Sequence, residues 1–275
     1  ADNGMGMASC LAVLASNEIK HGPIEVLLTV DEEAGMTGAF GLEAGWLEGD
    51  ILLNTDSEQE GEVYMGCAGG IDGAMTFEIA RNAIPADFVT RKLTLKGLKG
   101  GHSGCDIHTG RANANKLLAR FLAGHAKELD LRIVEFKGGS LRNAIPREGF
   151  VTVAVPAANQ EKLASLYNYY TELLSTELGK VEDSIVTFNE EASVEMGALA
   201  SADQARFIAA LNACPNGVIR MSDEIEGVVE TSLNVGVITT EENSITVLCL
   251  IRSLIDSGRS QVESMLHSVA ELAGA

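Results

Sequence analysis

Carboxylates near the start of the chain have the residue types and the placement needed to hold metal ions. Asp2 opens a small, apolar segment, Asp31-Glu32-Glu33 follows one apolar run, and Asp56 follows another. Carboxylates that hold two divalent cations about 3.5–4 Å apart can activate a water and polarise a carbonyl oxygen. A neighbouring carboxylate that is not a ligand can take the proton of that water. An isolated Asp-Glu-Glu is usually a solvated acidic turn, and metal-assisted hydrolysis is the functional alternative that the spacing leaves open.

The elements that must position these acids can be predicted from the apolar pattern. Residues 4–16 are small and apolar almost all round, which predicts a helix packed against a sheet. Residues 24–30 and 51–55 are short apolar runs, which predict buried strands of a parallel sheet. Both runs lead into acidic residues, and sites in open α/β sheets form at the carboxyl ends of strands. We therefore expect a partial α/β domain over residues 1–70.

A second domain is expected over residues 71–275. Alternating strands occur at residues 93–96 and 151–155, and three helices have apolar stripes. The members of these stripes are Leu117, Leu118, Phe121 and Leu122; Leu163, Leu166, Tyr167, Tyr170 and Leu174; and Val262, Met265, Leu266 and Val269. The order from residue 91 reads β-α-β-β-α-β, with a weaker second round from about residue 192, which predicts an α+β domain with ferredoxin-like halves. The last helix reaches residue 275, so we expect the strand after it to be missing.

Composition and charge restrict the class of protein. The chain is 46% hydrophobic and carries a formal net charge of −19, which predicts a globular protein that does not bind nucleic acid. There is no membrane-length apolar run and no secretory leader, so we expect no membrane partner and a cytoplasmic location. The five cysteines have no C-x-x-C spacing, which argues against a disulfide framework or a cysteine-rich zinc site.

Several motifs, taken in order, carry a resemblance that extends over essentially the whole chain. The sequence contains Asp2-Asn3-Gly4, Thr29-Val30-Asp31-Glu32-Glu33-Ala34-Gly35, Asn54-Thr55-Asp56-Ser57-Glu58, Gly100-Gly101-His102-Ser103-Gly104 and Arg142-Asn143-Ala144-Ile145-Pro146-Arg147. This series resembles the signature of the co-catalytic zinc exopeptidases, a family that includes aminoacylase, peptidase T and carnosinase. Within that family the fuller run, with residues 62–70, resembles the bacterial aminoacyl-histidine dipeptidases.

The resemblance implies a role for each acid. Asp2 would bridge two zinc ions, Glu33 would bind one of them and Asp56 the other, with cobalt or manganese as substitute metals. Glu32 would be the general base. The implied mechanism is attack of a zinc-bridging hydroxide on the peptide carbonyl, with Glu32 passing the proton to the leaving amine.

Three further residues would contact the substrate from a lid formed by residues 71–275. His102 in Gly-His-Ser-Gly would reach the scissile carbonyl, Asn143 matches a lid asparagine, and Arg252 matches an arginine that grips a substrate carboxylate. Asn234 is a weaker candidate. The ordinary alternatives are a turn residue for His102, a turn before Pro146 for Asn143, and the end of an exposed strand for Arg252.

The chain also departs from the family pattern. It has no initiator methionine and starts within a motif, so it is interpreted as an internal fragment. The two histidine ligands of the family lie outside it, and without imidazole ligands we expect weak zinc affinity and no useful activity for this chain alone. For the same reason we expect unpaired edges and exposed apolar faces in residues 1–70.

The leading functional hypothesis is hydrolysis of small dipeptides, with a preference for a carboxyl-terminal histidine that only the resemblance implies. A deacylase of N-acyl amino acids would use the same metal chemistry, and the metal residues do not separate the two. The third hypothesis is a non-catalytic ferredoxin-like binding or dimerisation module. Homodimerisation through the lid domain is expected from the resemblance, and an internal pseudo-dimer fits the second half equally well.

Overall fold

A computed structural model of the chain describes residues 3–56, 61–64 and 66–275, apart from the side chains of Glu33 and Ala34. The chain divides into two compact units, Ala1–Met65 and Gly66–Ala275.

The described part of the first unit contains three helices. They are α1 (Gly4–Ala15), α2 (Glu32–Gly35) and α3 (Thr37–Phe40). The predicted helix over residues 4–16 exists as α1, which begins after Asn3 because the Asn3 side chain accepts a hydrogen bond from the Gly6 amide. Its predicted packing against a sheet is wrong for the described residues of this unit, which contain no strand and bury only Gly6 of α1.

The two strands predicted in the first unit are wrong. Residues 24–30 and 51–55 pair with no other described segment and are not strands. A strand exists only where its backbone hydrogen bonds find a partner, and an apolar run cannot show whether that partner is present. The side chains of Ile51, Leu52 and Leu53 are accordingly 83%, 80% and 83% exposed. The expected exposure of apolar residues in this region is thereby confirmed.

The second unit is built around one large antiparallel sheet with helices on it. Its strands are β1 (Gly69–Glu78), β2 (Arg81–Asn82), β3 (Phe88–Lys96), β4 (Gly101–His102), β5 (Arg132–Gly138), β6 (Ala144–Ile145), β7 (Gly149–Pro156), β8 (Val186–Glu191), β9 (Ala198–Leu199), β10 (Gly217–Met221), β11 (Val229–Thr240) and β12 (Ser244–Ser253). Its α-helices are α4 (Ala114–His125), α5 (Gln160–Leu178), α6 (Ser201–Ala213) and α7 (Asp256–Ala273). Single 3₁₀ turns occur at Ile107–Thr109 and Ala157–Asn159.

The predicted ferredoxin-like order is confirmed for the first half of this unit. Strand β3, helix α4, strands β5 and β7, helix α5 and strand β8 follow one another, and the strands lie side by side as β5-β7-β3-β8. Every pairing among them is antiparallel. The apolar stripes predicted on α4 and α5 face the core, where Phe121 packs against Tyr167 with ring centroids 5.0 Å apart.

The second half contains strands that the sequence pattern did not assign to it. Strands β11 and β12 are extended by β1, which pairs with β12 over ten residue pairs although it precedes the first half in the chain. Strand β10 pairs with β11 on the same sheet. Strand β11 also pairs with β5 at Ile238 and Gly138, which joins the two halves into one sheet of eight strands. Long-range pairing of this kind leaves no local signal in the sequence.

Aromatic side chains fill the core where the two halves meet. Phe207 on α6 is fully buried and makes edge-on contacts with Phe77 of β1, at 5.3 Å between centroids, and with Phe136 of β5, at 6.0 Å. Such pairs add to the free energy of burial. None of the helices in the described ranges combines the length and the apolar character of a bilayer span.

Candidate functional site

The acidic turn of the first unit is a compact loop closed by backbone hydrogen bonds. Asp31 has a φ of 62°, and its carbonyl accepts from the Met36 amide at 2.6 Å. The Thr37 hydroxyl donates to Asp31 Oδ2 at 2.9 Å. Glu32 is the first residue of α2 and is exposed. The turn therefore fixes Asp31 within itself and presents Glu32 at the start of a one-turn helix.

Asn3 connects the start of α1 to the segment that ends at Asp56. Its Oδ1 accepts from the Gly6 amide at 2.6 Å, and its Nδ2 donates to the Thr55 carbonyl at 2.6 Å. A Cβ at position 6 would lie 2.6 Å from Thr55 Oγ1, so a glycine is needed for this close approach. The chain neighbours of Asp2 and Asp56 are thus in direct contact.

The predicted metal ligands are only partly within the described residues. Asp2 lies outside them, and Glu33 is described as part of α2 without its side chain. In the ranges 3–56, 61–64 and 66–275, no three His, Cys, Asp or Glu side chains form a group that could hold a metal ion. The described residues therefore do not form a ligand set by themselves.

We predict that the 275-residue chain binds zinc weakly, because three carboxylates without an imidazole are a poor zinc site. A titration with zinc followed by calorimetry should give a dissociation constant no tighter than about 10 µM, compared with the far tighter values of structural zinc sites. Stoichiometric binding at nanomolar zinc that is lost in Asp56→Asn would contradict this prediction.

In the second unit, His102 lies on a short ribbon whose other strand starts directly after Asn143. Residues His102 and Ala144 are paired between β4 and β6. The Ser103 amide donates to the Asn143 carbonyl at 2.8 Å. The Gly-His-Ser-Gly loop and the Asn143 loop are consequently one hydrogen-bonded structure.

An ion pair that the sequence reasoning missed holds the other side of the His102 loop. Asp106 Oδ2 accepts from the His102 amide at 2.9 Å, and the Asp106 amide donates to the His102 carbonyl at 2.8 Å. Arg111 pairs with Asp106 at 2.9 Å and donates to the Gly100 carbonyl at 2.7 Å. The available signal was an acidic residue four positions after the histidine, which suits a closed turn.

The structure brings His102 and Arg252 together from 150 residues apart, with 3.4 Å between His102 Nε2 and Arg252 Nη2. His102 Nδ1 accepts from the Gly104 and Cys105 amides, both at 3.2 Å. A neutral imidazole that accepts at Nδ1 carries its hydrogen at Nε2. In that tautomer, Nε2 and the neighbouring guanidinium nitrogen are both donors. A Cβ at Gly104 would lie 3.0 Å from the His102 ring and 3.3 Å from Arg252 Cζ, so glycine keeps this approach open.

The guanidinium of Arg252 is half-buried without a carboxylate partner among the described residues. Its Nε is inaccessible to solvent and makes no hydrogen bond within the described part of the chain. Burial lowers the pKa of Arg252, and the nearby Arg142 lowers it further, while Cys105 and Cys67 act in the opposite direction. A desolvated cation without an acid partner is a candidate anion-binding group.

Arg252 therefore does not fit its ordinary alternative as the end of an exposed strand, because it lies on β12 between Gly70 of β1 and Ser232 of β11. Asn143 is half-buried in the loop before β6. Asn234, the weaker candidate for a substrate contact, is buried and binds the protein backbone. It is 1% exposed, and its amide nitrogen donates to two backbone carbonyls.

Comparisons with known proteins agree with the motifs. Residues 93–182 match the peptidase dimerisation domain of the M20 family. The chain is 60% identical over 275 residues to the cytosol non-specific dipeptidase of Escherichia coli strain K12, covering all of this chain and 57% of that protein. Its structure is similar to the crystal structure of the aminoacylhistidine dipeptidase of Vibrio alginolyticus, with a TM-score of 0.82 and 85% sequence identity. The match covers 99% of this chain and 56% of that one.

The chain thus spans somewhat more than half the length of these relatives. The dimerisation-domain match begins in β3 and ends after α5, which is most of the first ferredoxin-like half. The resemblance inferred from the motifs is confirmed, because the chain is similar in sequence over nearly its whole length to an aminoacylhistidine dipeptidase and to a cytosol non-specific dipeptidase, and its residues 93–182 match the peptidase dimerisation domain.

Proposed function

We propose that this chain contributes to the active site of a metal-dependent dipeptidase that hydrolyses small dipeptides, with a preference for Xaa-His. The observation that carries the proposal is the half-buried guanidinium of Arg252, which has no carboxylate partner among the described residues and lies 3.4 Å from His102 Nε2. Its support from relatives is the dipeptidase named in each of the two matches. Residues 1–70 form the catalytic part in this proposal, and residues 71–275 form the lid.

Each acid has a proposed role within this reaction. Asp2, Glu33 and Asp56 would hold two zinc ions, with cobalt or manganese as substitutes, and the zinc would supply Lewis acidity toward the carbonyl and the attacking water. Glu32 would take a proton from that water and give it to the nitrogen of the departing amino acid. The contact between Asn3 and Thr55 supports this assignment, because it joins the neighbours of Asp2 and Asp56.

Two residues of the lid have proposed contacts with the substrate. Arg252 would bind the terminal carboxylate or the carbonyl oxygen together with His102, and Asn143 would bind next to them. Arg252 is half-buried and has no acid partner among the described residues, which favours a carboxylate because a charged acceptor offsets its desolvation best. A cytoplasmic location and a homodimer through the lid domain are proposed from the name of the curated relative and from the dimerisation domain.

A deacylase of N-acyl amino acids would use the same metal chemistry, so the proposal is tested with a substrate panel. A chain of the relatives' full length that contains these residues is assayed with β-alanyl-histidine, an ordinary α-dipeptide and an N-acetyl amino acid, with zinc or with a chelator. We expect turnover of the dipeptides, highest for the histidine dipeptide, and loss of turnover by at least about a hundredfold on chelation. Turnover of only the acetylated substrate would assign a deacylase. Absence of any metal-dependent hydrolysis would favour the hypothesis of a non-catalytic binding or dimerisation module.

A further inference from the structure

The loop that carries Asn143 lies outside the main sheet. It connects β5 to the two-residue strand β6, which in the described part of the chain pairs with β4 alone. Its carbonyls at Arg142 and Ala144, on either side of Asn143, both accept hydrogen bonds from the side chain of Asn234. The distances are 2.9 and 2.8 Å, so both hydrogens of that amide are used.

Asn234 is itself fixed by a buried network of asparagines. It lies on β11 and is 1% exposed, and its Oδ1 accepts from Asn113 Nδ2 at 3.3 Å. Asn113 is the N-cap of α4 and also donates to the Val235 carbonyl at 3.0 Å. Asn216 accepts from Asn113 at 3.0 Å and from the Val235 amide at 2.9 Å. The network joins helix α4 and strand β11, which are rigid elements, to the loop.

The loop also lies directly against β11 at Gly236, where a Cβ would be 2.6 Å from Arg142 Cα. A change in the loop would reach His102, because Ser103 donates to the Asn143 carbonyl and Ala144 pairs with His102. The position of residues 142–144 therefore sets the position of the His102 loop as well.

We propose that Asn234 is a positioning residue, which holds residues 142–144 on β11 and thereby keeps Asn143 and His102 in place beside Arg252. This inference rests on the proposed function for its effect on turnover. Its structural content stands without that function, because the two amide bonds to the loop are independent of any substrate. In this proposal Asn234 acts on the substrate only through the loop, since both of its N–H hydrogens are directed at backbone carbonyls.

Asn115 provides a matched control. It is also a fully buried asparagine whose amide donates to the backbone of β11, at the Val235 and Gly236 carbonyls, but it makes no bond to residues 142–144. Loss of either amide should lower stability, because part-buried carbonyls lose a donor in the case of Asn234 and buried carbonyls lose one in the case of Asn115. Only Asn234→Ala should release the loop.

The test uses Asn234→Ala and Asn115→Ala in a chain of the relatives' full length. Amide hydrogen exchange is measured at Ser103, whose amide donates to Asn143, and steady-state kinetics are measured with an Xaa-His dipeptide. For Asn234→Ala we expect exchange at Ser103 to quicken by at least about tenfold and kcat/KM to fall by roughly 10- to 100-fold, mainly through kcat. For Asn115→Ala we expect unchanged exchange at Ser103 and kcat/KM within about threefold of the wild type.

Equal exchange at Ser103 in Asn234→Ala and the wild type would overturn the proposal, as would equal losses of kcat/KM in the two variants. If Asn234→Ala does not fold, Asn234→Ser is used. The serine hydroxyl can still accept the hydrogen bond from Asn113, but its side chain is too short to donate to the carbonyls of both Arg142 and Ala144. If the wild type hydrolyses no dipeptide, the proposed function fails, whereas the exchange at Ser103 still decides the role of Asn234.

Discussion

Replacement of Glu32 by Gln should lower kcat for an Xaa-His dipeptide by at least about a hundredfold while KM changes by less than about threefold. Glutamine has nearly the same shape as glutamate, but it cannot take a proton from water or return one to the leaving amine. Glu32 is exposed to solvent at the start of α2, directly after the left-handed Asp31. The measurement is steady-state kinetics on a chain of the relatives' full length with saturating zinc.

Glu43→Gln is the matched control, since Glu43 is another exposed glutamate of the same unit. It should leave kcat within about twofold, because surface substitutions away from a site have small effects. Zinc content is measured in both variants by metal analysis. Wild-type zinc content with a large loss of kcat identifies a base, whereas parallel loss of zinc and activity identifies a ligand. Unchanged kcat in Glu32→Gln would remove Glu32 from the mechanism.

The second large effect is expected at the guanidinium of Arg252. Arg252→Met should raise KM for a dipeptide by roughly 10- to 150-fold, because a hydrogen bond to a charged group contributes about 1.5–3 kcal/mol. The effect should fall mostly on KM if the terminal carboxylate is bound equally in the ground state and the transition state. Arg252→Lys should recover only part of the loss, since lysine keeps the charge but not the planar fork.

A dipeptide whose terminal carboxylate is replaced by a carboxamide separates a carboxylate contact from a carbonyl contact. With the wild type, the carboxamide should have a KM higher by a similar factor, and in Arg252→Met the two substrates should differ little. Arg120→Met is the control, because Arg120 is a surface residue whose guanidinium is already paired with Glu177 at 2.6 Å. If Arg252→Met affects both substrates equally and through kcat, Arg252 acts on the scissile carbonyl together with His102.

Much of the second unit was predictable because its pattern is local. The alternation in residues 93–96 and 151–155 and the apolar stripes of α4 and α5 are short-range properties, and they predicted the β-α-β-β-α-β order that the structure shows. The motif around His102 likewise depends on residues close in sequence, whose glycines permit the loop. The prediction of strands at residues 24–30 and 51–55 was wrong for the converse reason, since a strand forms only with partner strands from other parts of the chain.

The sequence by itself determined the residue types of the candidate site, namely the acids at Asp2, Glu32, Glu33 and Asp56 and the lid residues around His102. Only the tertiary structure decided that Arg252 lies 3.4 Å from His102 and that β1 completes the second half of the sheet. It also decided that the Asn234 amide binds the backbone of residues 142 and 144. The physical reason is that these contacts join segments far apart in the chain, where packing and backbone hydrogen bonds, not local propensity, select the partner.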